Sequence, residues 1–282
     1  MSQGIRVFLS QMNELTSQTF PDDLRPVLSD AKRILEHHGI ADRLTELVGV
    51  PITSSIKMLP SGVEKAIYGA IDQSLRVALD VALRTLGNEK AGGGKPRFMT
   101  HKVLAGLTGA AGGAFGGAAI AAELPVSTVL ILRSVADIAR SEGEDLGEVE
   151  ARLACLEVFA LDPGKESAVD DDTEFGYFAV RAAMAKQIRD ASQHVLKHGT
   201  SKTSAPPLVQ LVRKIGERFG VVVSEKLAAQ AIPVIGAVGG ALINSYFIDH
   251  YQDLARAHFT IRRFEREYGA EAVRKAFDDV DA

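Results

Sequence analysis

The sequence predicts an all-α protein, a multi-helix globular domain with two Gly/Ala-rich apolar helical segments at its centre. Three observations carry this. Apolar residues recur at three- and four-residue steps along most of the chain. No alternating stretch is long enough for a sheet, and Val221, Val222 and Val223 form the one β-branched run. Two segments, 103–122 and 227–248, carry no charge over twenty and twenty-two residues.

The elements follow in order. Helices are expected over 21–38 and 40–48, with Gly39, Pro51 and Pro60 as punctuation. Between 61 and 86, Ile67, Ala70, Ile71, Leu75, Ala78, Leu79, Ala82 and Leu83 fall on one helical face. Glu64, Lys65, Asp72, Arg76, Asp80 and Arg84 take the other positions, which makes an amphipathic helix with Ser61 as its N-cap. The polar, glycine-rich stretch 88–97 (NEKAGGGKPR) reads as a linker between an N-terminal amphipathic helical region, 1–98, and a helical domain, 99–282. A length of 282 residues accommodates one large domain or two small ones. Further breaks at 162–172 and 199–207 separate a helix ending near Leu161, one starting near Thr173, and a last helical group.

Composition narrows the function classes. With 46% apolar and 24% charged residues a packed core is attainable, and a net charge of −4 argues against a nucleic-acid partner. The single cysteine, Cys155, excludes a disulfide framework and a multi-thiolate zinc site. Its neighbours in RLACLEVFAL make it a buried structural thiol. The apolar patch at 7–9 is too short for a secretory leader, so a cytoplasmic protein is expected, placed at the inner face of the membrane by the segments discussed next.

Both uncharged segments reach the length that spans a bilayer as a helix. In the first, Gly109, Gly113 and Gly117 repeat every fourth residue; in the second, Gly236 and Gly240 keep the same spacing. Such a glycine zipper opens a groove into which another backbone can pack. Val103, Leu104, Leu107, Phe115 and Ile120 supply only about −2 to −3 kcal/mol of insertion free energy. Each glycine costs a helix in water about 1 kcal/mol relative to alanine. Gln230, Pro233, Asn244 and Ser245 interrupt the second segment. This marginal balance suits a close-packed core or a helix that enters membranes conditionally.

Polar residues flank the segments. Glu123, Arg133 and Asp137 follow the first, with Arg133 and Asp137 spaced to pair on one helix face; Asp249, His250 and Asp253 follow the second. Where the two helix pairs meet, these six form a candidate polar site, in which Glu123, Asp249, His250 and Asp253 have the side chains to hold a metal or shuttle a proton, or a set of ion pairs that fix packing. Their spacing matches no metal signature, and neither a metal nor a cofactor is expected. Four arginines in 256–266 (RAHFTIRRFER) accompany Phe259, Ile261 and Phe264, a pattern for anionic lipid or for a solvated helix with its aromatics in the core. Glu142, Glu144, Asp145, Glu148 and Glu150 are expected to start a helix, as are Asp170, Asp171 and Asp172 before Phe175. No G-x-S-x-G, H-E-x-x-H or P-loop pattern occurs.

The stretches ELPVSTVLILRSVADIARSEGEDL (123–146), FGYFAVRAAMA (175–185) and AIPVIGAVGGALINSYFIDHYQDLARAHFTIRRFEREYG (231–269) resemble the EcsC protein family. The resemblance runs from about residue 100 to 269 and implies a bacterial, mostly helical protein. It implies no activity, substrate or catalytic residue. The expected function is that of a non-enzymatic helical protein associating peripherally or conditionally with a membrane, its partner a lipid or a membrane protein. A metal-dependent enzyme using the carboxylate–histidine group and a soluble protein-binding scaffold are the alternatives.

Overall fold

In the computed structural model, residues 20–37, 39–49, 51, 63–88, 117–163, 176–200, 203–230 and 236–281 are described. Ser61, nearly all of the expected linker, Gly109, Gly113 and the acidic run 170–172 lie outside them. Among the described residues the chain is all-α, with no strand. Helices α1 (Arg25–Glu36) and α2 (Ile40–Val48) fall where the sequence places them. They are followed by α3 (Val63–Arg84), α4 (Gly117–Ser141), α5 (Val149–Glu157), α6 (Tyr177–His198), α7 (Pro206–Gln230), α8 (Gly236–Tyr268) and α9 (Ala270–Asp279).

Helix α3 forms because its apolar residues define one face, and all eight predicted for it from Ile67 to Leu83 are buried. Its exposed face carries the pairs Asp72–Arg76 and Asp80–Arg84 one turn apart. The buried face packs chiefly on α4 and then on α7. Arg140 of α4 donates to the Leu86 carbonyl at 3.0 Å, so the C-terminal ends of α3 and α4 meet and the two helices run parallel. Leu75 approaches Gly216 of α7, while Ile71 and Tyr68 approach Gly220, so α7 runs antiparallel to α3.

Helix α8 is the spine. Its 33 residues extend about 50 Å at 1.5 Å per residue, and it packs against α1, α2, α4, α7 and α9. From Ile243 to Phe264 it is buried on nearly every side, with Phe247, Tyr251, Leu254, Phe259 and Phe264 at most 1% exposed. Phe247 and Tyr251 join Phe159 and Phe219 in an aromatic cluster with ring centroids 5.0–6.4 Å apart. One continuous core runs through α1 to α9, across the expected boundary between residues 98 and 99.

The α4–α5 turn explains part of the acidic group. Gly143, at φ 85°, lets the chain close α4 with Gly143 N–H bonded to the Arg140 carbonyl and Glu144 N–H to the Ala139 carbonyl. This is a Schellman closure, which needs a residue without a Cβ at that position. Only Glu150 falls in the first turn of α5. Glu142 and Glu144 do not start a helix; they end α4 and face the arginines of α8, because the turn aims them inward.

Candidate functional site

The described parts of the two uncharged segments meet at one end of the bundle. The parallel course of α3 and α4 and the reversed course of α7 bring the starts of α3, α4 and α8 together with the end of α7. Gly117, Gly236 and Gly240 belong to these helix ends. Pro125 within α4 removes one helical N–H, and Ser127 and Thr128 turn their hydroxyls back to the Leu124 carbonyl at 3.1 and 2.7 Å. Among the described residues no helix is long and apolar enough to cross a membrane.

Glu123 lies at this end, buried, with its carboxylate 3.2 Å from Lys226 Nζ. Lys226 also donates to Asn244 Oδ1 at 2.8 Å and sits 4.5 Å from the Phe247 ring. Burial lowers the Lys226 ammonium from its usual range, and Glu123 opposes that only in part. Five large apolar side chains are exposed on the halves of α3, α4, α7 and α8 nearest this end, Tyr68 (65%), Val126 (45%), Val221 (54%), Leu242 (47%) and Tyr246 (40%), while Val27, Val77 and Leu196 are exposed elsewhere. This end holds the Glu123–Lys226 pair inward.

The remaining candidates serve other contacts. Asp137 accepts from Arg140 at 2.9 Å. Asp253 accepts from Arg43 of α2 at 2.7 Å and from Arg256 at 2.6 Å, and so ties α2 to the spine. His250, wholly buried, lies with Nε2 2.6 Å from Asp162, whose Oδ2 also accepts the Ile40 N–H at the start of α2. Arg133 and Asp249 stand on the same two long helices, α4 and α8, and each takes part in a polar interaction. No group of three or more His, Cys, Asp or Glu among the described residues is arranged to hold a metal.

At the other end of α8 the aromatics of 256–266 face the core and all four arginines are paired, Arg256 with Asp253 and the other three with Glu142 and Glu144. Glu144 accepts from Arg262 at 2.8 and 3.0 Å and from Arg266, and Arg263 pairs with Glu142 at 3.1 Å. Burial alone would raise the Glu144 carboxyl, but the two guanidiniums hold it below its usual range.

Beside this network the structure opens a cleft of about 320 Å³ between α5, α6, α8 and α9. Glu157 lines it, 3% exposed and without a hydrogen bond, and burial pushes its carboxyl up to about 7. Behind it, His258 Nε2 is 3.9 Å from Glu157 Oε2, and His258 Nδ1 is 2.9 Å from the Tyr177 hydroxyl. Burial keeps His258 well below its usual range and therefore neutral, an effect that Arg181 and Arg262 reinforce. The Tyr177 hydroxyl and His258 Nδ1 share this hydrogen bond, whose direction follows the tautomer of the ring. Arg181 grips Glu265 through two bonds of 2.7 and 2.9 Å.

Sequence reasoning left Glu157, Tyr177 and Arg181 out of any site, and gave His258 no role. One signal was present: Glu157 is a lone carboxylate in the apolar run ACLEVFAL, a position that burial makes unusual. Cys155, two residues earlier, is the structural thiol expected, its pKa raised to about 12 by burial.

An all-α core threaded by one long buried helix, with an apolar end and an arginine-rich end, defines a helical bundle protein that carries no known catalytic signature. The chain belongs to the EcsC protein family, whose model matches residues 28–264. The match begins within α1, well before the stretches that carry the resemblance. No curated protein and no solved structure matches the chain.

Proposed function

We propose that this protein is a non-enzymatic helical module that docks conditionally on a lipid bilayer through its apolar end, at the cytoplasmic face of the membrane. One observation carries the reading: Tyr68, Val126, Val221, Leu242 and Tyr246 are exposed on the halves of α3, α4, α7 and α8 nearest the Glu123–Lys226 pair. Five side chains of this size exposed at one end are a surface that water disfavours, and the interfacial region of a bilayer accepts both the valines and the amphipathic tyrosines. The Glu123–Lys226 pair supports the reading, because both of its charges are buried rather than presented to the contact face. The arginines of 256–266 do not drive docking, since Glu142 and Glu144 occupy three of them and Asp253 the fourth. The glycine spacing at 109–117 and 236–240 suits helices that part and re-pack as they meet lipid.

Flotation of the full chain with mixed phosphatidylcholine–phosphatidylglycerol vesicles tests this. The protein is expected to float, to remain bound at high salt, and to lose binding in the triple variant Tyr68→Asp, Val221→Asp, Leu242→Asp. These side chains are exposed, so the variant keeps the wild-type circular dichroism and melting curve. A chain that never floats, or a variant that floats like wild type, overturns the reading.

A further inference from the structure

The arginine-rich cleft is chemically unlike the apolar end and independent of it. Four arginines line it, and they differ in what they touch. Arg181 is bound to Glu265 and Arg262 to Glu144. Among the described residues Arg189 and Arg274 have no carboxylate partner; Arg274 lies over the Phe178 ring at 5.5 Å, which holds its guanidinium at the wall. Between these charges the wall is apolar, formed by Ala154, Phe178, Ala182 and Ile188. Glu157 forms the floor, a buried carboxyl that reaches the cleft, with His258 Nε2 3.9 Å behind it.

We infer that this cleft binds a small amphipathic organic anion. Its sulfate, phosphate or carboxylate group is held by Arg189 and Arg274, its apolar body rests on Phe178 and Ile188, and Glu157 lies beneath it. A volume of about 320 Å³ suits a small ligand rather than a lipid chain or a peptide. Guanidiniums are the side chains best shaped to bind such groups, through paired N–H donors.

The floor makes binding depend on pH. Glu157 faces Arg181 and Tyr177 from α6, Arg262, His258 and Glu265 from α8, and Glu150 on its own helix; Arg189 and Arg274 complete the ring of charge. Below about 7 the floor is a neutral acid that can donate a hydrogen bond; above it, a carboxylate repels the ligand. Affinity therefore falls as pH rises through about 7.

Phenyl sulfate is the probe, because its charge stays constant across this range, and calorimetric titration of the full chain is the measurement. Saturable binding is expected, with none for benzyl alcohol. Arg189→Ala with Arg274→Ala should weaken binding by at least about tenfold, the loss of two charge-assisted contacts. Both arginines are exposed, so the variant should melt as wild type does. Glu157→Gln should remove the dependence of binding on pH. Failure of phenyl sulfate to saturate, wild-type affinity in the arginine variant, or an unchanged pH profile in Glu157→Gln each overturns the inference. Vesicle flotation is indifferent to these substitutions, so the two proposals fail separately.

Discussion

The two ends of α8 solve the problem of buried charge in opposite ways. Near its start, Lys226 meets a single carboxylate, Glu123, and a single amide, Asn244, and burial prevails over attraction. Near its end, Glu144 meets two guanidiniums, and attraction prevails over burial. The helix and the desolvation are shared; what differs is the number of opposite charges and hydrogen bonds per buried ion. One partner does not offset the removal of water from an ion, whereas two guanidiniums do. Glu157 marks the limit between them. It sits beside the arginine network but bonds to none of it, and its carboxyl rises instead.

The strongest way to break the comparison is to remove Lys226. Lys226→Met leaves Glu123 charged and buried without its cation, and should cost about 3–5 kcal/mol in urea unfolding. Adding Glu123→Gln should recover most of that loss, which would show that the pair serves specificity more than stability. If Lys226→Met alone is neutral, the apolar end is wetter than its burial indicates.

Glu157 sharpens the other half. A carboxyl held up to about 7 binds its proton more tightly in the folded chain, whose stability is then full below the ordinary value of 4.5 and declines as pH rises toward 7. At about 1.4 kcal/mol per pH unit the loss amounts to about 3 kcal/mol. Glu157→Gln should abolish that slope and exceed wild type in stability at alkaline pH, as read from melting curves at several pH values.

Gly143 tests whether the turn aims Glu144. Alanine in this left-handed position should cost roughly 1–2 kcal/mol and weaken the arginine network with it. The smallest effect belongs to a pair in water: Asp72→Ala, on the exposed face of α3, should change stability by about 0.3–0.5 kcal/mol or less. A larger loss would mean that solvent screens this surface poorly.

Much of the secondary structure was legible because it rests on local spacing. The buried face of α3, the limits of α2 and the aromatics of 256–266 turned inward all follow from the three-to-four residue period. The six-residue polar site was legible only as composition. Glu123, Asp253 and His250 found Lys226, Arg43 and Asp162, partners 103, 210 and 88 residues away in the chain, which no spacing rule reaches. Glu157 was hidden for the converse reason. A single carboxylate in an apolar helix reads as an interruption until the neighbours that bury it are known.

The sequence by itself determined the helical class, the faces of its helices, the absence of charge from two long segments and the inertness of Cys155. Each depends on residues within a few turns of one another. Tertiary structure alone decided that Glu123, Lys226 and Asn244 meet at one end, that three of the α8 arginines turn to Glu142 and Glu144, and that a cleft forms over Glu157. Those outcomes depend on which helix ends meet, and α3 parallel to α4 with α7 reversed is a choice made by packing across the whole core.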